Sequence, residues 1–561
     1  MKRFICALLL IITVISLSSC TGGSKKDDSK DKGIGKALDI SAYTIVRPDI
    51  ASSALVNVTR VFKTTVRDVT KADLKVITDD TDDSENEYEI LLGNTNRKET
   101  ADALEALKSK TKKEAFIIKV FDKKIAIVGI SNEDTLIALN FFMDHVIPSS
   151  NAEKTLPLAV GDDISKKTGE VIYASDDGLT VITVEERSDV YVPSDVLINE
   201  GCTYGKIIKL EHQADEKNNG ILLASKENGA YTTKAKDYRW PVMKSTDDGK
   251  TWKEIARIED KVNKGSTPGY QPCLYELPAD VGSFKKGTVL FASCVRTPAT
   301  TMLLQYSVDQ GKTWKGICNV DQGGLYNQGD WSSEGLWEPA VVYEEETGRV
   351  YCFYSDELEN GTGNDHEGGH NQRLVYKYST DLVNWSEKFE CVALSKSIRA
   401  GMISITRMGN GKWVLVYEGC GIPGYGGCPI TMKFADALDA WDPEEVGTVV
   451  KNSAGHYLSS APVISWSPAG GECGTLFVTA NNSIKSTTDC DLFFSFDYGK
   501  TFHSVPNPIN ILNKSDEYKL YGGYSPGMYV DKEGTLYYVN NPPNPKVKWQ
   551  EKLEFVRIKI Y

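Results

Sequence analysis

Two rhythms of apolar residues divide the chain. Between residues 38 and 165 helical and extended spacing alternate. Leu55, Val58, Val61, Phe62 and Val66 fall on one face of a helix over Ser52 to Lys71, and Lys98 to Ser109 and Glu133 to Val146 read as further helices. Glu89 to Asn94 reads as a strand ending in a turn, and Phe116 to Val128 as a hairpin around Asp122-Lys123. From about residue 170 the helical spacing stops. Six segments follow, each an apolar strand, a glycine turn and a second apolar strand, with turn glycines at 220, 287, 348, 411, 474 and 534. Their separations are 67, 61, 63, 63 and 60 residues, so one supersecondary unit is repeated six times.

A second marker keeps the same period. Ser245 to Trp252, Ser307 to Trp314 and Ser495 to Phe502 share Ser-x-Asp-x-Gly-x-Thr-aromatic, and Ser379 to Trp385 is a worn copy. An Asp that can accept turn N–H groups, a Gly that can take positive φ and an aromatic that can pack between strands make a hairpin staple. The motif resembles the Asp box of sialidase-like propellers, where it lies away from the active site. The fold expected is mainly β: a six-bladed β-propeller over 170–561, preceded by a small α+β domain over 38–165. The sixth repeat is too short for four strands, and Val171 to Glu186 is expected to complete that blade and close the ring. The small domain resembles the α/β domain that precedes catalytic modules in some secreted hexosaminidases and glucuronidases, and reads as a spacer or packing partner.

The first twenty residues read as an address. Met1-Lys2-Arg3 is cationic, Phe4 to Leu17 is apolar but too short to span a bilayer comfortably, and Leu17-Ser18-Ser19-Cys20 resembles a bacterial lipobox. That resemblance implies cleavage before Cys20, lipid on its thiol and an extracytoplasmic position on the cell membrane. Residues 21–37 form a polar linker. The 561 residues carry 64 Lys plus Arg against 77 Asp plus Glu, a net charge of −13 that disfavours nucleic acid as a partner. None of the ten remaining cysteines has the paired CxxC spacing of a zinc site. Cys420 and Cys428 bracket a Gly-rich loop and are the candidate disulfide, with buried free thiols as the alternative.

In an antiparallel hairpin the start of the first strand and the end of the second share an edge, so six repeats bring six such edges to one rim. That rim collects Gln271, Arg296, Glu338 with Ser355-Asp356-Glu357, Arg399, Glu418 and Tyr524. Carboxylates, arginines, amides and aromatics together suit a sugar. Glu338 lies between Trp337 and Pro339, and Glu418 closes the strand from Lys412 to Tyr417, one repeat further on. Two such carboxylates on adjacent blades are the machinery of double-displacement glycoside hydrolysis.

Trp337-Glu338-Pro339, Tyr354 to Glu357, Arg399-Ala400-Gly401-Met402 and Tyr417-Glu418 resemble, in order and spacing, the exo-1,5-α-L-arabinanases of glycoside hydrolase family 93. These are propellers that release arabinobiose from arabinan chain ends with retention. The resemblance covers roughly 200–545. It implies that Glu338 and Glu418 are the catalytic pair, supported by Tyr524. The nucleophile is placed on Glu338 and the acid/base on Glu418, with the reverse assignment open. Gln271, Arg296, Trp331, Trp337, Asp356 and Arg399 are the expected substrate contacts. No cofactor is expected; the partners are an oligo- or polysaccharide and, through Cys20, a membrane, and the protein is expected to be a monomer. Ala400 departs from the proline expected there, and Leu358 to Asn371 reads as an insertion containing His366 and His370, a substrate lid in preference to a metal site. Two other readings compete: an exo-α-sialidase, for which the rim offers only two arginines where three would clamp a sialate, and a propeller that binds glycan without cleaving it.

Overall fold

A six-stranded mixed sheet and a ring of six antiparallel sheets account for nearly all regular structure in this computed structural model. It describes residues 37–81, 87–110, 114–150, 152–193, 201–228, 239–263, 269–296, 299–325, 334–358, 372–395, 397–486, 490–511, 523–544 and 551–561.

In the smaller unit the strands Thr44–Arg47, Lys75–Thr78, Glu89–Leu92 and Lys124–Gly129 run parallel, and Phe116–Val120 and Asp163–Lys166 extend the sheet antiparallel. Helices α1 (Ser53–Thr70) and α3 (Asn132–Phe141) cover one face, and α2 (Lys98–Lys108) covers the other. The α1 stripe Leu55, Val58, Phe62 and Val66 is buried, as its spacing requires. Ser52 caps the first turn by accepting from the Leu55 N–H at 3.2 Å.

The six antiparallel sheets of four or five strands are the blades of a β-propeller. Their first strands are Lys206–Lys209, Gly269–Glu276, Leu336–Glu344, Arg399–Arg407, Val463–Ser467 and Gly527–Val530, and each touches its neighbours around a closed ring. Blades one to five have four strands in chain order. The sixth borrows: Gly527–Val530, Leu536–Asn540 and Leu553–Ile560 come from the end of the chain, and Val181–Tyr191 pairs with Leu553–Ile560 as the fourth strand. Glu170–Ala174 adds a fifth. The turn of this last hairpin carries the smaller unit. Gly178 lies against Ala54, Val58 and Leu136, and its carbonyl accepts from Asn140 Nδ2 at 3.2 Å. Val181 and Leu179 belong to the same apolar core as α1 and α3.

The repeated Ser-x-Asp-x-Gly-x-Thr turns link third and fourth strands and share one geometry. Asp247 accepts from the Thr251 N–H at 3.0 Å and from its hydroxyl at 2.6 Å, and Asp309 with Thr313 and Asp497 with Thr501 repeat the pair. Trp252 and Trp314 then donate from Nε1 to the turn carbonyls of Gly249 and Gly311. These turns lie at the glycine-turn end of the blades, opposite the end that gathers the acidic residues.

Candidate active site

The opposite end is built on a ring of unusual backbone. Tyr204, Gln271, Glu338, Met402, Ala461 and Ser525, one per blade, have φ of 52°, 47°, 62°, 58°, 50° and 55°. L-residues other than Gly, Asn and Asp seldom adopt this left-handed region, and such outliers gather where a site needs them. In blades two, three and four the residue sits in a bulge, between Tyr270 and Cys273, Trp337 and Ala340, and Gly401 and Ser404. A bulge re-aims one side chain out of the sheet alternation. Here it turns Gln271 and Glu338 toward the axis, where a cavity of about 450 Å³ is lined from all six blades.

Four of these backbone N–H groups are caught by a side chain of the blade before. Gln271 N–H donates to Glu227 Oε2 at 2.8 Å, Glu338 N–H to Gln271 Oε1 at 3.2 Å, Met402 N–H to Glu338 Oε2 at 3.2 Å and Ala461 N–H to Glu418 Oε2 at 3.0 Å. The residues that build the site therefore also lock neighbouring blades together.

The two glutamates flank the Gly401–Met402 dipeptide. Glu338 takes the Met402 N–H, while Glu418 Oε1 lies 3.3 Å from where a Cβ on Gly401 would stand. Their surroundings differ. Glu338 accepts from the Ser355 hydroxyl at 2.7 Å and the Tyr204 hydroxyl at 3.3 Å, both neutral donors. Crowding by protein raises its pKa to about 7, an effect the Ser355 bond opposes and the Glu418 charge adds to. Glu418 is buried but ion-paired: Arg399 Nη1 donates to Oε1 at 2.7 Å, and the Ser460 hydroxyl and Ala461 N–H serve Oε2. The Cys420–Cys428 disulfide closes the loop that begins two residues after Glu418.

Tyr524 stands edge-on to Tyr204 with ring centroids 5.5 Å apart, and burial together with the Glu418 and Glu338 charges keeps its hydroxyl protonated. The fold thus gathers Glu338, Glu418, Tyr524, Gln271 and Arg399 at one mouth. Trp337 stands behind them, donating from Nε1 to Glu357 at 2.8 Å and packing edge-on against Tyr270, whose ring centre also lies 5.1 Å from the Arg296 guanidinium.

Asp356 requires a correction. It is buried inside an ion cluster, accepting from Lys388 at 2.9 Å and Arg373 at 3.3 Å, so it braces blade three and does not face a sugar. Its neighbour Ser355, on the other face of the strand, is the residue that reaches Glu338. Trp331, Cys20, His366 and His370 lie outside the described residues. Tyr204 and Glu227 are the site residues that sequence reasoning missed, while Ser355 was placed on the rim without a role. The repeat does hold a signal for the first, because 204, 271 and 338 are each 67 residues apart.

No protein-family model and no curated protein matches the sequence. Solved structures do. The chain is similar to an α-L-arabinanase of Penicillium chrysogenum determined with arabinobiose, at 27% identity and a TM-score of 0.55, over 67% of this chain and 98% of that one. It is similar to the family 93 α-L-arabinofuranosidase of Fusarium graminearum, also determined with arabinobiose, at 23% identity and a TM-score of 0.55, over 67% and 97%. The same Fusarium enzyme bound to an iminosugar inhibitor gives a TM-score of 0.53. The propeller therefore has the fold of the arabinanase-like glycoside hydrolases of family 93.

Proposed function

We propose that the protein is an exo-acting, arabinanase-like glycoside hydrolase that works by double displacement with Glu338 and Glu418. The observation that carries this reading is the contrast between two carboxyls side by side at one mouth. A proton donor needs a pKa near the working pH, and Glu338, held at about 7 among neutral donors, has one. A nucleophile needs a settled negative charge, which the Arg399 ion pair and two further donors support on Glu418. The roles are therefore the reverse of those first placed on the sequence. Glu418 attacks the anomeric carbon while Glu338 protonates the departing glycosidic oxygen. Glu338 then takes a proton from the water that releases the sugar. Gln271, Tyr204 and Tyr524 orient the pair and line the mouth.

Arabinan as the substrate class is supported by the arabinobiose bound to both fungal neighbours. Sialidase chemistry finds less support, because Arg399 is ion-paired to Glu418, which leaves the rim well short of the three arginines that would clamp a sialate. Incubation with debranched arabinan, p-nitrophenyl arabinofuranoside and sialyllactose tests the proposal. Release of arabinose or arabinobiose, with the anomeric configuration retained by NMR, is expected. Cleavage of sialyllactose alone, or of nothing, overturns it. The lipobox-like Leu17 to Cys20 supports lipid anchoring, so Cys20→Ser is expected to move the protein from the membrane fraction to the soluble one.

A further inference from the structure

Glu227 lies two residues past the second strand of blade one, Leu222–Ser225, and is 1% exposed. Its place in the ring matches that of Glu418: Glu227 Oε2 receives the N–H of Gln271, as Glu418 Oε2 receives that of Ala461, each from the left-handed residue of the following blade. The chain of contacts continues. Gln271 Oε1 holds the backbone N–H of Glu338, Gln271 Nε2 approaches the Tyr204 hydroxyl at 3.4 Å, and that hydroxyl donates to Glu338 Oε1 at 3.3 Å. Gln271 is thus gripped at its own N–H while both ends of its amide reach the environment of Glu338.

We propose that Glu227 is a positioning residue for the proposed acid/base: by fixing Gln271 in its left-handed backbone, it sets where the Glu338 carboxyl stands and which donors reach it. This rests on the glycosidase reading above. Its second oxygen, Oε1, is buried with no hydrogen-bond partner among the described residues. A full charge is poorly supported there, and burial raises the Glu227 pKa to about 8, with Glu338 adding to the rise and the Gln271 N–H and Lys226 opposing it. The titratable groups around it are Lys226 on its own segment, Glu338 from blade three and the Cys294 thiol from blade two, with Glu551 beyond Lys226. At neutral pH it grips Gln271 as a neutral acid, and it gains a charge beside Glu338 as the pH passes 8.

The test compares Glu227→Leu and Glu227→Gln in the full chain. Glu227→Leu removes the acceptor, and kcat on debranched arabinan, whose leaving group needs the acid, is expected to fall about a hundredfold with KM little changed. Glu227→Gln keeps an acceptor for the Gln271 N–H and should restore kcat to within about tenfold of wild type. It should also remove one of two ionisations from the alkaline limb of kcat/KM. In a crystal structure of Glu227→Leu, Gln271 should leave the left-handed region and the Glu338 N–H should lose its 3.2 Å acceptor. That readout needs no activity, so it stands even if the protein cleaves none of the glycosides and the hydrolase reading fails. The proposal is overturned if Glu227→Leu leaves Gln271 and Glu338 in place, if its kcat stays within about twofold of wild type, or if Glu227→Gln is as impaired as Glu227→Leu. Should Glu227→Leu not fold, Gln271→Met makes the same cut one contact nearer Glu338. A wild-type kcat in that variant overturns the proposal equally.

Discussion

The two ends of the propeller both need left-handed backbone, and they obtain it from different residues. At the turn end Gly220, Gly287, Gly348, Gly411, Gly474 and Gly534 carry φ of 63° to 88°. With no Cβ they take these angles without steric cost. At the mouth every blade has a left-handed residue, Tyr204, Gln271, Glu338, Met402, Ala461 and Ser525, with Ser460 beside Ala461, and none of them is glycine. Each strained residue of this kind costs on the order of 1–2 kcal/mol. The difference teaches where the fold spends stability. A turn requires only the backbone angle, so glycine suffices. At Tyr204, Gln271 and Glu338 the mouth requires the angle together with a side chain, so the strain is accepted there and offset by N–H groups passed from blade to blade.

The largest effects should come from removing the two carboxyls at the mouth, one on the strained Glu338 and the other on Glu418. Glu418→Gln should lower kcat on arabinofuranosides by about 10³-fold or more, and Glu338→Gln by about 10²–10⁴-fold, with melting temperature little changed. The two should separate by leaving group. Glu338→Ala keeps more activity on an aryl glycoside than on arabinan, because a good leaving group does not need the acid. A Glu418 variant gains nothing from that change. Equal loss on both substrates would reverse the assigned roles.

The pH dependence is the next test. Because the proton of Glu338 is needed for the first step, kcat/KM should fall as the pH rises through about 7. A rate that instead rises through the same interval would mean that Glu338 acts as the anion.

Smaller, and confined to the mouth, is the loop after Glu418. Cys420→Ser with Cys428→Ser should cost about 2 kcal/mol in denaturant unfolding and raise KM through the loosened Glu418 loop. The smallest pair addresses the comparison directly. Gly411 has open space around its missing Cβ, so Gly411→Ala should lose about 1 kcal/mol from backbone strain alone and leave turnover per folded molecule unchanged. Ala461→Gly, at φ 50°, should gain about 0.5–1 kcal/mol and keep turnover, since the Ala461 N–H still serves Glu418. If both substitutions move stability the same way, the contrast between the ends is wrong.

The repeat was readable because its punctuation is local. A turn glycine or a Ser-x-Asp-x-Gly-x-Thr staple shows in a few consecutive residues. Glu338 was readable through Trp337 and Pro339, and Glu418 through the strand it ends. Glu227 was not, because it lies beyond the last paired residue, Ser225, where the strand pattern has already stopped. Asp356 misled for a reason of period. Successive strand residues face opposite sides, so Ser355 and Asp356 share a rim position but only one can look toward Glu338. Which one does so is set by the bulge in the facing strand between Trp337 and Ala340, a feature with no signature in Ser355 or Asp356 themselves.

The hairpin of residues 170–191 has two duties, and they tie distant parts of the chain together. Its long strand pairs with Leu553–Ile560, more than 360 residues further on, while its tip is seated in the apolar core of the smaller unit. That pairing closes the ring of blades. The small domain is thus the mooring of the clasp, holding the half that the end of the chain must meet.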